Sequence, residues 1–404
     1  MPDRSETFRA GHGALLSVDS ATSPSHLGSS YLAGAVNRTL RGGRCATRPP
    51  IHSRALVFDT PENEEVFRRG NISGIFGYNK ANQQTRSHLI VAVGDRILKG
   101  RIGGNSIQFS TLYEGIDPAN MHAWFVQGID RLYFQNGVEA PIGWDGVGDA
   151  YKIEGGLAED KMPIGNIMAF IHGRIVVFTS SSHAIVSDYI YSGGAIDSAG
   201  MENFIEAQAV NDLGAIAAPT NLGEVVGAIP IIRTPDRNAQ GDLLVICQNG
   251  LYTLDLTGPR ADWLYGDIQQ IVLSGVGCGG SGPHSVIAAN SDVWFRGADG
   301  SIRSYRFQRS EQDKEWGDTS LSREVSAYLG FDAPWDLQYC SSAMTRNRLL
   351  MSCGIRRRKC EIEGWGDHRF AEGMVALDFD RGSSVNQRPG FAWDGLWTGI
   401  NPIQ

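Results

Sequence analysis

Residues Gly241–Leu256 read GDLLVICQNGLYTLDL. Two apolar runs rich in β-branched and aromatic residues flank Asn249-Gly250, a dipeptide suited to a tight turn between antiparallel strands. The stretch predicts a β-hairpin, and an isolated hairpin cannot bury its apolar faces by itself. Other units of the chain must cover it.

The same pattern returns on both sides. It occurs at His88–Gly100 (HLIVAVGDRILKG), Ala123–Gly137 (AWFVQGIDRLYFQNG) and Ala169–Ser180 (AFIHGRIVVFTS). Further on it occurs at His284–Phe307 (HSVIAANSDVWFRGADGSIRSYRF), Cys340–Gly354 (CSSAMTRNRLLMSCG) and Gly373–Asp380 (GMVALDFD). Hairpins recurring every few dozen residues are the mark of a radial or stacked all-β array. The expected fold is an all-β β-propeller of about six or seven irregular blades, with few short helices. A four-stranded blade takes roughly forty residues, and the span Asn71–Gly399 accommodates that number. In the long gap after Ala169–Ser180, Phe204–Val210 and Glu224–Arg233 read as additional strands. The repeat signatures of WD40 and kelch arrays are absent.

Residues 1–50 form a separate unit, an N-terminal extended arm rich in Ser, Gly and Pro, and residues 51–404 are the propeller body with inter-blade insertions. Within the arm, Ala35–Thr47 predicts a hairpin turned at Arg41–Arg44, and Pro49-Pro50 ends its pairing. The arm either adds an edge strand to the body or reaches a partner. Two helices carry local signals. Thr60–Gly70 (TPENEEVFRRG) has an N-cap threonine, a proline at the first position, acids early, arginines late and a stopping glycine. In Thr319–Gly330, Leu321, Val325, Tyr328 and Leu329 make one apolar stripe.

The 50 glycines among 404 residues far exceed the roughly 7% of average usage. With only 16 prolines and no fixed period, they indicate many tight turns. A net charge of −8 argues against non-specific nucleic-acid binding over the whole surface, though not against a local basic patch. Met1–Gly11 has no apolar core of a secretory signal, and no run is long enough to span a bilayer. The six cysteines have no framework spacing and are expected to be free thiols.

A search for chemistry finds no active site. Gly275–Gly282 (GVGCGGSG) precedes a strand-like run rather than a helix, so it reads as a turn and not as a phosphate loop. Cys353, Cys360, Asp367 and His368 lack zinc-ligand spacing and enclose Ile355–Lys359, which adds four positive charges. There is no Gly-x-Ser-x-Gly, no calcium loop and no repeated sialidase box. Paired carboxylates for glycoside hydrolysis remain open. No catalytic, cofactor or metal residue is assigned. The candidate contacts to a partner or to DNA are Arg41, Arg44 and Arg48 in the arm, and Arg356, Arg357 and Arg358 in the basic loop.

Three stretches carry a resemblance: Asp299–Leu329, Met374–Gly399, and Asn37-Arg-Thr-Leu-Arg-Gly-Gly-Arg44 with Arg48-Pro49. They resemble virion proteins of tailed bacteriophages, the last being similar to an early strand pair of tail nozzle, or tail tubular, proteins of short-tailed phages. The resemblance implies a non-enzymatic β-propeller subunit without cofactor, assembled as a hexameric ring below the adaptor. Its channel passes the phage DNA during ejection, and it docks fibres or spikes. It further implies folding in the host cytoplasm and residence in the virion tail. The chain is short for that family, and it stops at Trp397–Gln404 in what reads as the middle of a blade. A glycan-binding propeller of a phage tail, and a propeller glycoside hydrolase, are the alternatives.

Overall fold

A computed structural model describes residues 15–27, 30–41, 43–80, 87–120, 122–154, 161–179, 182–192, 195–196, 198–204, 215–217, 219–231, 241–257, 270–272, 278–307, 320–383 and 390–399. Among them, six sheets of three to five strands follow one another along the chain. Each is built on an antiparallel meander, and in four of the neighbouring pairs the first strands lie side by side. The fold is a β-propeller.

The first blade runs Ile72–Tyr78, His88–Val93, Arg96–Ile102 and Ser106–Glu114, with Ala55–Phe58 added in parallel on its outer strand. The second blade uses Trp124–Gly128, Arg131–Gln135, Ile142–Trp144 and Tyr151–Lys152. The third has Ile167–Ile171, Arg174–Phe178, His183–Val186 and Ala215–Ala217, and the fourth Val225–Pro230, Leu243–Cys247, Leu251–Leu254 and Gln270–Val272. Three strands, Ile287–Ala289, Asp292–Arg296 and Ile302–Ser304, describe the fifth. The sixth comprises Ser342–Thr345, Arg348–Arg358, His368–Ser383 and Gly390–Thr398. Segments Cys340–Gly354 and Gly373–Asp380 thus belong to one blade, so seven segments make six sheets. Gly390–Thr398 is a complete fourth strand, which corrects the reading of an unfinished last blade.

The alternation of side chains explains why the blades need each other. In Leu243–Cys247 every residue is fully buried. Leu243, Val245 and Cys247 face the third blade, and Leu244 and Ile246 face the fifth. A strand covered on both faces reads as an unbroken apolar run. Apolar clusters of this kind join the first blade to the second, the second to the third, the third to the fourth, the fourth to the fifth and the fifth to the sixth. Among the described residues no such cluster joins the sixth to the first. That seam is crossed by the loop between the two long strands of the last blade. Gly366 N donates to Pro118 O at 2.9 Å, and Cys360 Sγ to Arg69 O at 3.4 Å. The Trp365 ring lies against Gly70 and Gly94.

The helix Pro61–Arg69 forms as the sequence predicts, with Thr60 Oγ1 accepting from Asn63 N at 3.2 Å. Gly70 is needed for a different reason than a helix stop. Its φ is −79°, and a side chain there would collide with Trp365. The second helix is shorter than predicted: a turn at Arg323–Val325 leads into Ser326–Leu329. Leu321, Val325 and Leu329 nevertheless face the core as the stripe requires. The predicted strand Phe204–Val210 lies outside the described residues beyond Phe204, and Glu224–Arg233 is realised as Val225–Pro230. No helix among the described residues is long and apolar enough to cross a membrane.

Candidate functional site

The arm settles on the outer edge of the last blade. Arg38–Thr39 pairs with Ala46–Thr47, the small hairpin expected around Arg41–Arg44. Asn37 N donates to Leu396 O (2.8 Å) and Leu396 N to Ala35 O (2.9 Å), so the arm extends the sheet past its fourth strand.

A buried ionic network fixes this junction. The Asp394 carboxylate, 1% exposed, accepts from Thr39 Oγ1 (2.9 Å), Leu40 N (2.7 Å) and Arg348 Nε (2.9 Å). Arg41 donates to Asp378 from Nε (2.7 Å) and Nη2 (2.5 Å), and Nη1 meets Asp380 at 2.7 Å. Burial pushes the Asp378 carboxyl up, but hydrogen bonds from Arg41 and the Asp380 amide and the nearby Arg348 charge outweigh it and hold it below its usual range. The hydrogen bond to Asp378 in turn raises Arg41.

Beside the network opens a cleft of about 970 Å³, lined by Asn37, Thr47, Arg48, Pro49, Pro50 and Arg346 among others. Its described lining holds two guanidinium groups and no carboxylate. Arg48 is spent internally, Nε on Asn37 Oδ1 (2.9 Å) and Nη2 on Thr398 O (3.4 Å). Arg346 is exposed and sits with Asn347 in a two-residue turn at φ 46° and 60°. Both values suit the hairpin twist, but arginine tolerates them poorly. Here Arg346 offers its side chain to the cleft while its carbonyl accepts from Arg41 at 3.0 Å. The sequence held a signal for it, an Arg-Asn dipeptide between the strands of MTRNRLL.

The six predicted arginines do not form one surface. Arg41 and Arg48 are tied into the arm junction, and Arg44 is exposed. Arg356, Arg357 and Arg358 lie at the far end of the strand that Arg348 begins, eight residues on, or roughly 26 Å away. Each has a carboxylate partner: Glu372 at 2.9 Å, Asp367, and Glu361 at 3.3 Å.

The glycine-dense loop is described from Cys278 onward. Gly279 presses on the Cys247 carbonyl, Gly280 N donates to it at 2.9 Å, and a single 3-10 turn, Pro283–Ser285, leads into the strand Ile287–Ala289. Glycine serves close blade contact there. All six cysteines are free, and burial pushes Cys247, Cys340 and Cys353 up to about 12. Among the described residues, no group of three or more His, Cys, Asp or Glu is placed to hold a metal.

No protein-family model matches the chain, and no curated protein does. Solved structures give faint likenesses. BBS1N in complex with ARL6DN, soaked with lead, is 14% identical over 52% of this chain and 54% of that one, at a TM-score of 0.30. The mercury-soaked form gives 13% over 65% and 69%, at 0.37. PorZ, a surface component of the type-IX secretion system of Porphyromonas gingivalis, gives 10% over 80% and 39%, at 0.35. The chain spans about half the length of the first of these. Likenesses this faint say nothing of activity.

Proposed function

We propose that the chain is a non-enzymatic structural subunit of a short-tailed phage tail, a nozzle-type propeller. In this reading it assembles side by side into a hexameric ring beneath the adaptor, in the virion, and the ring passes DNA and docks fibres or spikes. The observation that carries the reading is the outer edge of the first blade. Ala55–Phe58 pairs with Ser106–Glu114 on one side, and no described strand pairs on the other. Its Leu56 is 42% exposed and stands in register with Ile107 and then Ile102, which is 37% exposed. An open strand edge flanked by an apolar row is a template for another chain. The phage resemblance in the arm and the last two blades points the same way. The acidic charge suits a conduit for DNA, since like charges keep the genome from adhering to the wall.

The test is native mass with negative-stain imaging, on the chain alone and with adaptor. A six-fold ring in either sample is the expected result. A 43.9 kDa monomer in both would overturn it, and glycan-array binding by that monomer would put receptor recognition in its place.

A further inference from the structure

At the end of the ring where the first strands of the blades begin, five side chains meet. His122 lies two residues before the first strand of the second blade, and His284 lies in the turn before that of the fifth. Tyr339 ends the turn before that of the sixth. The His122 and Tyr339 rings stack at 5.2 Å with 2° between their planes. His284 is 6.3 Å from His122, and Trp124 is 5.7 Å from it on the same blade. The second and fifth blades face each other across a six-bladed ring, so this histidine pair lies on the propeller axis. Arg369, on the extended hairpin of the last blade, lays its guanidinium over Tyr339 with Cζ 4.5 Å from the ring centre.

Five polar atoms of this cluster are unsatisfied. Arg369 is only 9% exposed, yet its Nε and Nη1 have no hydrogen-bond partner, and no described carboxylate pairs with it. The nearby Asp367 is taken by Arg357. Trp124 Nε1, His122 Nδ1 and His284 Nε2 are also without partners. Burial pushes both imidazoles down to about 4, with Arg369 adding to the effect on His122 and His122 to that on His284. The cluster therefore carries one fixed positive charge at neutral pH. A guanidinium cannot shed its proton, Asp367 reaches Arg369 only through longer-range attraction, and a buried charge without a hydrogen-bonded counter-charge is strongly unfavourable. Tyrosine stacking eases the charge but accepts none of the in-plane N–H bonds. What completes such a set is a small group that is negative and only accepts.

We propose that the axial mouth of the propeller binds a small oxyanion, inorganic phosphate or a carboxylate group, through Arg369, the Trp124 indole N–H and the two axial histidines. The test is isothermal titration of the full chain with sodium phosphate and, separately, sodium acetate, at constant chloride. Saturable binding of one anion per chain is expected, and the responding arm identifies the source. Arg369→Gln should weaken it at least tenfold. Arg356→Gln, an exposed arginine of the same hairpin that pairs with Glu372, should leave it unchanged. Trp124→Phe keeps an aromatic face and removes the N–H donor with the smaller half of the indole, so a several-fold loss of anion binding at unchanged urea midpoint decides the matter if Arg369→Gln fails to fold. No heat from either anion at millimolar concentration, or binding that both axial variants leave intact, would overturn the proposal.

Discussion

Arg348 is 3% exposed and spans two buried acids, Asp394 at 2.9 Å and Asp378 at 3.6 Å. Removing it leaves the buried Asp394 without a charged partner, while Asp378 keeps Arg41, so Arg348→Ala should cost about 3–5 kcal/mol in urea denaturation. Asp378 adds a pH signature. Its folded pKa is depressed, so its contribution is complete above the unfolded value of about 3.9 and fades as pH falls through that value toward the folded one. The urea midpoint should drop below about pH 4, and less steeply in Asp378→Asn. Arg346 gives the opposite kind of prediction. Glycine accepts φ 46° without strain, so Arg346→Gly should stabilise the chain by about 1 kcal/mol. If the cleft docks a partner, the same variant should bind that partner more weakly, separating stability from function. The sequence displayed the charge of Arg41 but not its use, because Asp378 stands 337 residues away. Local spacing cannot reveal an ion pair made by the last blade with the arm.

Elements were legible where periodicity and turn chemistry agreed. Gly241–Leu256 forms the hairpin its Asn-Gly announces, and Pro61–Arg69 the helix its cap announces. The pattern failed where one element is long: His368–Ser383 gave its own apolar segment and was counted as a separate unit. It was also silent on the loop that crosses the seam, whose Trp365 looks like any half-exposed aromatic in sequence. That loop is testable. Gly94, at φ 54°, lies directly beneath the Trp365 ring. Gly94→Ala combines backbone strain with overpacking and should cost about 1–3 kcal/mol by chemical denaturation. Trp365→Ala should leave the five inter-blade cores intact and raise hydrogen exchange near Gly94 and Pro118 alone. Equal acceleration in every blade would show that the loop is no closure at all.

For the whole molecule, the open edge of the first blade predicts a clean separation of folding from assembly. Leu56 is half exposed in the single chain, so Leu56→Lys should change its stability by less than about 0.5 kcal/mol. In a ring it would place a charge against a neighbouring strand, and sedimentation should show the assembly lost. The candidate arginines were legible as residues but not as a geometry, since only the tertiary fold shows Arg356, Arg357 and Arg358 roughly 26 Å along a strand from Arg348, beside which Arg41 meets Asp378. The uneven joints of the propeller have a mechanical meaning. Five are filled with interlocked side chains, which resist deformation because a packed interior has little free volume. Among the described residues the sixth is a latch of one loop, closed by a ring face and a few hydrogen bonds. The body is in this sense a split washer. Any squeeze or stretch of its girth is taken up at that single gap, which makes the seam the compliant point of the molecule.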